Sequence, residues 1–540
     1  MTIMDETAQL FNDAFNWKTT ALSVPESVAK QFIFHPETVL TCLDFFEKQV
    51  DDGIAKDKER QLSLLFIEAF SSLRYKLDNQ DKHAQAILIR VHALLKRMFQ
   101  TMSMEKQLIV SHALHDSKLP TPELPYDMSV DPNVLKKLPD ISPQLPALLE
   151  RMRHEGGLKT SFELYDSLIA HVQLQTEEMQ CALISELIAT KNTAIHDVGV
   201  FMLLHPKKNI RQMVPLIWLH QLSAQAIKVS PVSLRRFIVI RNWLPVDEQA
   251  AVDEIIKTVR KAGVTPAPYP TSQITRLVAS SVDGAGVQFL LFETKVKNKR
   301  MVAGFLVKEG IGIREPFVIH KAHKEQFSDM LEPHTLPSKT ISTTYASKLV
   351  GHFLAVGQQN NHVPEAYFLE IAELFGAQSW QPQPIHLITE INRIKEQEKI
   401  DTSDPKLIEQ TLKTSAAWLN QPGFTESWFE TSERVNDVII EAQQKHLNTK
   451  SKHSDDLSKV TIRCLMQGDL LDKWTFIFVR MLLWHRSKSI KSNDWVCFLV
   501  IADLLLQGHA VDKIPLLEII TERSVAHAMR RHLHAEMRGV

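Results

Sequence analysis

Asp283, Glu293 and Lys295 are the residues whose types and spacing come nearest to a reaction centre. Two converging carboxylates could hold Mg²⁺, and a lysine beside them could activate a water or steady a phosphate. The three fall in a stretch that reads as strand, where side chains alternate, so Glu293 and Lys295 share one face. Asp283 precedes Gly284, and Asp-Gly is turn chemistry. The competing reading is a hairpin whose Glu293 and Lys295 form a solvated edge.

An Asp near the end of one strand with Glu-x-Lys on the next resembles the PD-(D/E)xK nucleases. That resemblance implies metal-dependent nucleic-acid cleavage, with Asp283 and Glu293 on the ion and Lys295 at the attacking water. The chain departs from that family where a helical crossover should follow the second strand, because another strand follows at once. Among the 23 histidines, His112/His115 with Asp116, His320/His323 and His532/His534 have ligand-like spacing. None belongs to an HExxH or Cys/His zinc pattern, and no cofactor is expected. There is no P-loop, GxGxxG, nucleophile elbow or kinase signature.

Basic residues cluster at Lys207, Lys208 and Arg211, at Arg235, Arg236 and Arg241, at Lys295, Lys297, Lys299 and Arg300, and in the tail at Arg530, Arg531 and Arg538. Turns and helix starts align in a stacked helical array, so the first two clusters are the candidate binding surface.

The elements that must position these residues are of two kinds. From about 273 to 320 the chain reads as β, with strands expected at 273–282, 286–297, 300–308 and 311–320. Five of the 17 glycines fall there: Gly284, Gly286, Gly304, Gly310 and Gly312. Most of the rest reads as helix. Residues 84–99 place Ala84, Ile87, Leu88, Val91, Leu94, Leu95, Met98 and Phe99 on one helical stripe. Ser230–Pro231 opens another helix, and Pro364 and Gly376 bracket a third. Trp218, Trp243, Trp474, Trp484 and Trp495 sit among aliphatic residues as core. The fold class is mainly α: an α-solenoid-like helical array interrupted by one small antiparallel β-meander.

"HDVGVFMLLHPKKNIRQMVPLIWLHQL" joins two apolar helices through His205–Pro206–Lys207–Lys208, with Asn209–Ile210–Arg211 in the first turn of the second. This resembles the HEAT-like α-solenoid repeat over roughly 194–222, and implies that Ile210, Val214 and Ile217 are buried together with Leu203 and Leu204. Pro215 should kink the second helix. The expected organisation is a helical domain at 1–118 and a Pro-rich linker at 119–143. Ser142–Pro143 is read as a helix start. Helical repeats then span 144–265 and the β-meander insertion 266–322. A helical segment at 323–394, a polar linker at 395–410 and a C-terminal helical domain at 411–540 complete the chain. Residues 446–459 read as an exposed loop.

Composition bounds the rest. Hydrophobic residues make up 44% and charged residues 23%, enough for a large core. The formal net charge of −1 removes any whole-chain attraction for nucleic acid or membrane. Cys42, Cys181, Cys464 and Cys497 lie beside apolar residues with no CxxC, the usage of a reducing compartment. The N-terminus lacks a secretory pattern, and the apolar stretch 474–506 is interrupted by charges, so no membrane insertion is expected. The reading is a cytoplasmic, non-enzymatic scaffold or adaptor that binds a protein partner through a helical-repeat surface. The alternative is a nucleic-acid-binding protein or metal-dependent nuclease with its site in the β-meander.

Overall fold

The computed structural model describes residues 24, 26–48, 56–78, 81–99, 101–122, 135, 138–141, 160–190, 192–331, 336–376, 380–420, 424–447, 461, 468–487 and 494–536. Most of the expected Pro-rich linker, the Ser142–Pro143 helix start, Cys464, most of the loop at 446–459 and Arg538 lie outside these residues. The described chain forms two compact units: residues up to 203 together with 207–228, and 204–206 together with 229 onward. Among the described residues no helix is long and apolar enough to cross a membrane.

The first unit is helical. Its elements are α1 (Glu26–Phe34), α2 (Thr38–Lys48), α3 (Lys56–Asp78), α4 (Lys82–Met98), α5 (Met104–Ser117), α6 (Ser161–Val172), α7 (Glu177–Ala189), α8 (Thr193–Phe201) and α9 (Lys208–Ser223). Of the expected stripe, Ala84, Ile87, Val91, Leu94, Leu95 and Met98 are buried on α4, while Leu88 and Phe99 are half-buried against the same core, and Asp81 caps the helix by accepting from the Ala84 N–H at 2.9 Å. That stripe packs in one core with Phe46, Phe66 and Phe70. A capping box between Thr160 and Glu163 starts α6. On α9, Ile210, Val214 and Ile217 are enclosed, and Leu203 and Leu204 are buried too. Pro215 lies inside α9, which continues through it. Trp218 donates its indole N–H to the Gly199 carbonyl at 3.1 Å, and a side chain on Gly199 would meet Ile188 at 2.5 Å. α7, α8 and α9 therefore pack closely.

The second unit opens with α10 (Pro231–Trp243) and α11 (Gln249–Lys261), and then builds the sheet. Ser230 caps α10 and Pro231 occupies its first turn, as read from the sequence. Strands β1 (Gln273–Ser280), β2 (Val287–Val296), β3 (Lys299–Lys308) and β4 (Gly312–His320) form an antiparallel meander. A short helix, α12 (Gln326–Asp329), and a fifth strand, β5 (Ser338–Thr340), follow. The sheet order is β4-β3-β2-β1-β5. The three residues of β5 carry no alternation of their own, so pattern reading has nothing to find there.

Helices resume with α13 (Thr343–Gln359), α14 (Ala366–Phe375), α15 (Leu387–Glu398), α16 (Pro405–Ser415), α17 (Phe424–Ser427), α18 (Glu433–Leu447), α19 (Asp469–Arg486), α20 (Asp494–Leu506) and α21 (Pro515–Glu536). Gly376 ends α14 in the left-handed conformation at φ 69°. The expected linker at 395–410 is instead the end of α15, a tight turn and the start of α16. Asp404 caps α16 through the Lys406 N–H, and Thr402 is buried with its hydroxyl on Asp503. Polar composition there reflects caps and a turn, which local sequence does not separate from a linker.

One sheet face is covered over its middle by α14. Phe292 packs edge-on against Phe375 at 5.6 Å and Phe305 against Phe368 at 5.2 Å. Phe368 in turn lies between Trp243 and Trp380. The opposite face is thinly covered: Phe327 of α12 closes over Val278, Leu291 and Val302. Helix α19 grips the end of β1 and the β1–β2 turn. Trp484 donates to the Ala279 carbonyl at 3.0 Å, and Arg480 to the Gly286 carbonyl at 2.7 Å.

Candidate functional site

Asp283, Glu293 and Lys295 do not converge. The Asp283 carboxylate accepts the Val287 N–H at 2.7 Å, and the Asp283 N–H donates to the Val287 carbonyl at 3.0 Å. This closes the β1–β2 turn. Glu293 lies six residues beyond Val287 along β2, about 20 Å away at the usual rise per strand residue. Burial pushes the Asp283 carboxyl above the usual aspartate range, against the pull of the Val287 bond and of Lys473 and Arg480.

Glu293 is not on a solvated edge. It is 6% exposed, accepts the Thr275 hydroxyl at 2.7 Å and lies 3.7 Å from the Arg300 guanidinium. Arg276 stands opposite it on β1. A β-bulge at Thr275 turns that hydroxyl onto the carboxylate, so Glu293 is a buried anchor between two strands. Lys295 is exposed, as the hairpin reading expects.

The candidate basic surface on the helices is dismantled in a similar way. Arg235 and Arg236 are buried, each 7% exposed, and both clasp Glu373 of α14. Arg236 is bidentate, at 2.9 and 3.1 Å, and Arg235 donates at 2.6 Å while its guanidinium lies over Tyr269. Burial pushes Glu373 up, but the bonds and charges of Arg236 and Arg235 outweigh it and hold the carboxyl below the usual range. Arg211 is 2% exposed. Arg241 pairs with Asp253 on α11 at 2.7 and 2.8 Å. Lys207 donates to the Gln173 carbonyl at 3.2 Å, and Lys208 alone of the six is exposed. Adjacent basic residues on a helix read as surface until the distant carboxylate that buries them is known.

Two of the three histidine pairs are described. His112, His115 and Asp116 of α5 meet Asp166 and His171 of α6. His112 Nε2 lies 3.3 Å from His171 Nδ1, and His115 Nε2 lies 2.7 Å from Asp166. His320 approaches Glu370 at 3.1 Å, and His323 lies between Glu325 and Asp329 at 3.7 and 3.8 Å. Among the described residues no three His, Cys, Asp or Glu side chains are arranged to hold a metal.

The remaining basic cluster is the one at the surface. Lys295, Lys297 and Lys299 are exposed at the end of the β2–β3 hairpin, and none forms an ion pair with a described residue. Arg300 stands directly opposite Lys295. Lys321 joins them from the end of β4, where the Ala322 N–H donates to the Arg300 carbonyl at 3.0 Å.

Comparison with known proteins places parts of the chain beside one family. Residues 389–529 match the Y4lR C-terminal helical domain and residues 176–263 match the Y4lR second domain. The uncharacterized protein y4lR of Sinorhizobium fredii (strain NBRC 101917 / NGR234) is 22% identical over 396 residues, which cover 71% of this chain and 74% of that protein. No solved structure matches. The sheet lies between the two matched stretches.

Proposed function

We propose that the protein is a non-enzymatic, cytoplasmic scaffold or adaptor in which the helices of the second unit hold a β-sheet as a docking element for a protein partner. The supporting observation is the basic end of the sheet. Arg480, Trp484 and the aromatic layer of α14 fix the β-meander on one side, and its far end carries exposed lysines that serve no internal ion pair. The α8–α9 pair, with Ile210, Val214 and Ile217 enclosed, is in keeping with a HEAT-like repeat, an architecture suited to partner surfaces. The buried thiols Cys42 and Cys181 suit a reducing compartment.

The nuclease reading loses its geometry, because the carboxylates that would share an ion lie about 20 Å apart along β2. Nucleic-acid binding without catalysis keeps one observation in its favour, the four bases Lys295, Lys297, Lys299 and Arg300 against the one carboxylate of Glu293 at the end of the β2–β3 hairpin. Affinity purification of the tagged protein, with and without nuclease treatment, separates the readings. A discrete protein partner that survives nuclease supports the scaffold. Loss of all co-eluting material on nuclease treatment overturns it.

A further inference from the structure

We infer that the β2–β3 end of the sheet is a docking surface for an acidic, extended segment of a partner protein. The inference rests on the scaffold reading and names the chemistry of its partner.

Three observations carry it. First, the charge is local and unbalanced. Between Glu293 and Arg300 stand Lys295, Lys297, Lys299 and Arg300 against Glu293 alone, in a chain whose net charge is −1. Glu293 is buried and engaged by Thr275 and Arg300, so the exposed surface of the hairpin end is purely cationic. Second, the cations are placed at a cost. Lys295 and Arg300 are direct cross-strand neighbours, and like charges in that position destabilise a hairpin. Third, the backbone is strained where lysines sit. Lys297 at φ 45° and Asn298 at φ 63° form the two-residue turn, and Lys321 beside it has φ 55°. Those positions favour Gly, Asn or Asp, and a lysine there is retained against local preference. Strain and repulsion that both serve to keep positive charge in one place point to a negatively charged occupant.

An acidic peptide fits better than nucleic acid. The hairpin end presents cationic groups on both faces: Lys295 and Arg300 on one, Lys299 on the other. It carries no aromatic ring on which a base could stack. Phe289 and Phe317, the aromatics of the thinly covered face, pack with Phe327 in the small core beneath α12. An extended acidic segment has room beside the sheet. β5 pairs only with Val278, Ala279 and Ser280, and Gln273, Thr275 and Arg276 at the start of β1 are exposed. Gln273 lies opposite Lys295, so a strand added at the free edge of β1 would lie two strand spacings, about 10 Å, from the β2 backbone, on the side toward which the Lys295 side chain can extend across β1.

The test uses the full chain and three fluorescent probes: a dozen-residue peptide alternating Glu with Val, its counterpart with Gln in place of Glu, and a single-stranded RNA of similar length. The wild-type protein should bind the Glu peptide, lose it steeply with added salt and ignore the Gln peptide. Lys295→Glu/Lys297→Glu/Lys299→Glu should weaken Glu-peptide binding at least tenfold, with an unchanged circular dichroism spectrum. Lys297→Asn should weaken binding and at the same time raise the melting temperature, because it relieves the strained turn. A lysine kept only for structure would not give that split. Undiminished binding by the triple variant, no binding of the Glu peptide by the wild type, or preference for RNA would each overturn the inference. If a natural partner still co-purifies with the triple variant, the scaffold reading stands and this surface does not.

Discussion

The guanidinium of Arg480 and the side-chain amide of Gln288, 192 residues apart in the chain, meet at 3.2 Å inside the second unit. Gln288 is oriented by donating to the Ser280 carbonyl at 2.7 Å, so its oxygen faces both Arg480 and the Tyr345 hydroxyl, which donates at 3.1 Å. Arg480 also lies over the Phe353 ring and donates to Gly286. Burial pulls its guanidinium below the usual arginine range and pushes the Tyr345 phenol up to about 12. This network fastens α19 and α13 to the start of β2.

Arg480→Met should therefore destabilise the protein by about 3–5 kcal/mol, since it strands buried acceptors on Gly286 and Gln288. Tyr345→Phe removes one of two donors and should cost only about 1 kcal/mol. Urea unfolding followed by tryptophan fluorescence gives both values. An Arg480→Met variant as stable as wild type would remove the network's structural role.

Glu373 balances two buried guanidinium groups, so Glu373→Gln should cost about 3–5 kcal/mol. The folded carboxyl titrates below its ordinary value because Arg236 and Arg235 outweigh its burial. Its stabilisation is then present above the unfolded carboxylate pKa and is lost as pH falls through the lower, folded one. Stability measured from pH 6 down to pH 3 should fall less in Glu373→Gln than in wild type.

The α5–α6 junction has an acid response of its own. Burial, with His171 and His115 alongside, pushes the His112 imidazole down to about 4. Asp166 faces it too and is itself held low by His115, whose bond and charge outweigh its burial. A histidine depressed on folding resists protonation only in the folded state, so acid favours unfolding. Stability should decline from about pH 6.5 toward pH 4, by at most about 3 kcal/mol for His112 at roughly 1.4 kcal/mol per unit. His112→Gln should flatten that slope in circular dichroism melts recorded across the range.

The sequence made the four long strands and most helices legible because their signals are local. Alternation and turn residues place β1 to β4 within two residues, and Ser230–Pro231 and Gly376 mark helix ends where the structure has them. The candidate site was less legible, since its outcome depends on distant partners. Nothing near Arg235 and Arg236 announces Glu373, 137 residues downstream of Arg236. Glu293 reads as an edge charge until the bulge brings Thr275 onto it. Conversely, the cross-strand repulsion of Lys295 and Arg300 needs the register, which no local pattern supplies.

Gly284 and Gly286 look alike in the sequence as turn glycines, and the structure separates them. Gly286 has φ 77°, so its requirement is conformational. Gly284 has no positive φ; its requirement is space. A Cβ there would lie 2.4 Å from the Ser427 carbonyl oxygen and 2.8 and 2.9 Å from the backbone oxygen and nitrogen of Phe429. The Gly284 N–H donates to that same Ser427 carbonyl at 3.0 Å. Backbone cannot swing aside as a side chain can, so Gly284→Ala must push the β1–β2 turn off the 427–429 segment. Overpacking of this kind costs about 1–3 kcal/mol, and the lost hydrogen bond adds about 1. Gly286→Ala should cost about 1–2 kcal/mol from the left-handed backbone alone. The two should differ further in local opening: hydrogen exchange at residues 427–429 should accelerate in Gly284→Ala and stay unchanged in Gly286→Ala. Equal exchange in both variants would show that the turn, rather than the close approach, is what Gly284 serves.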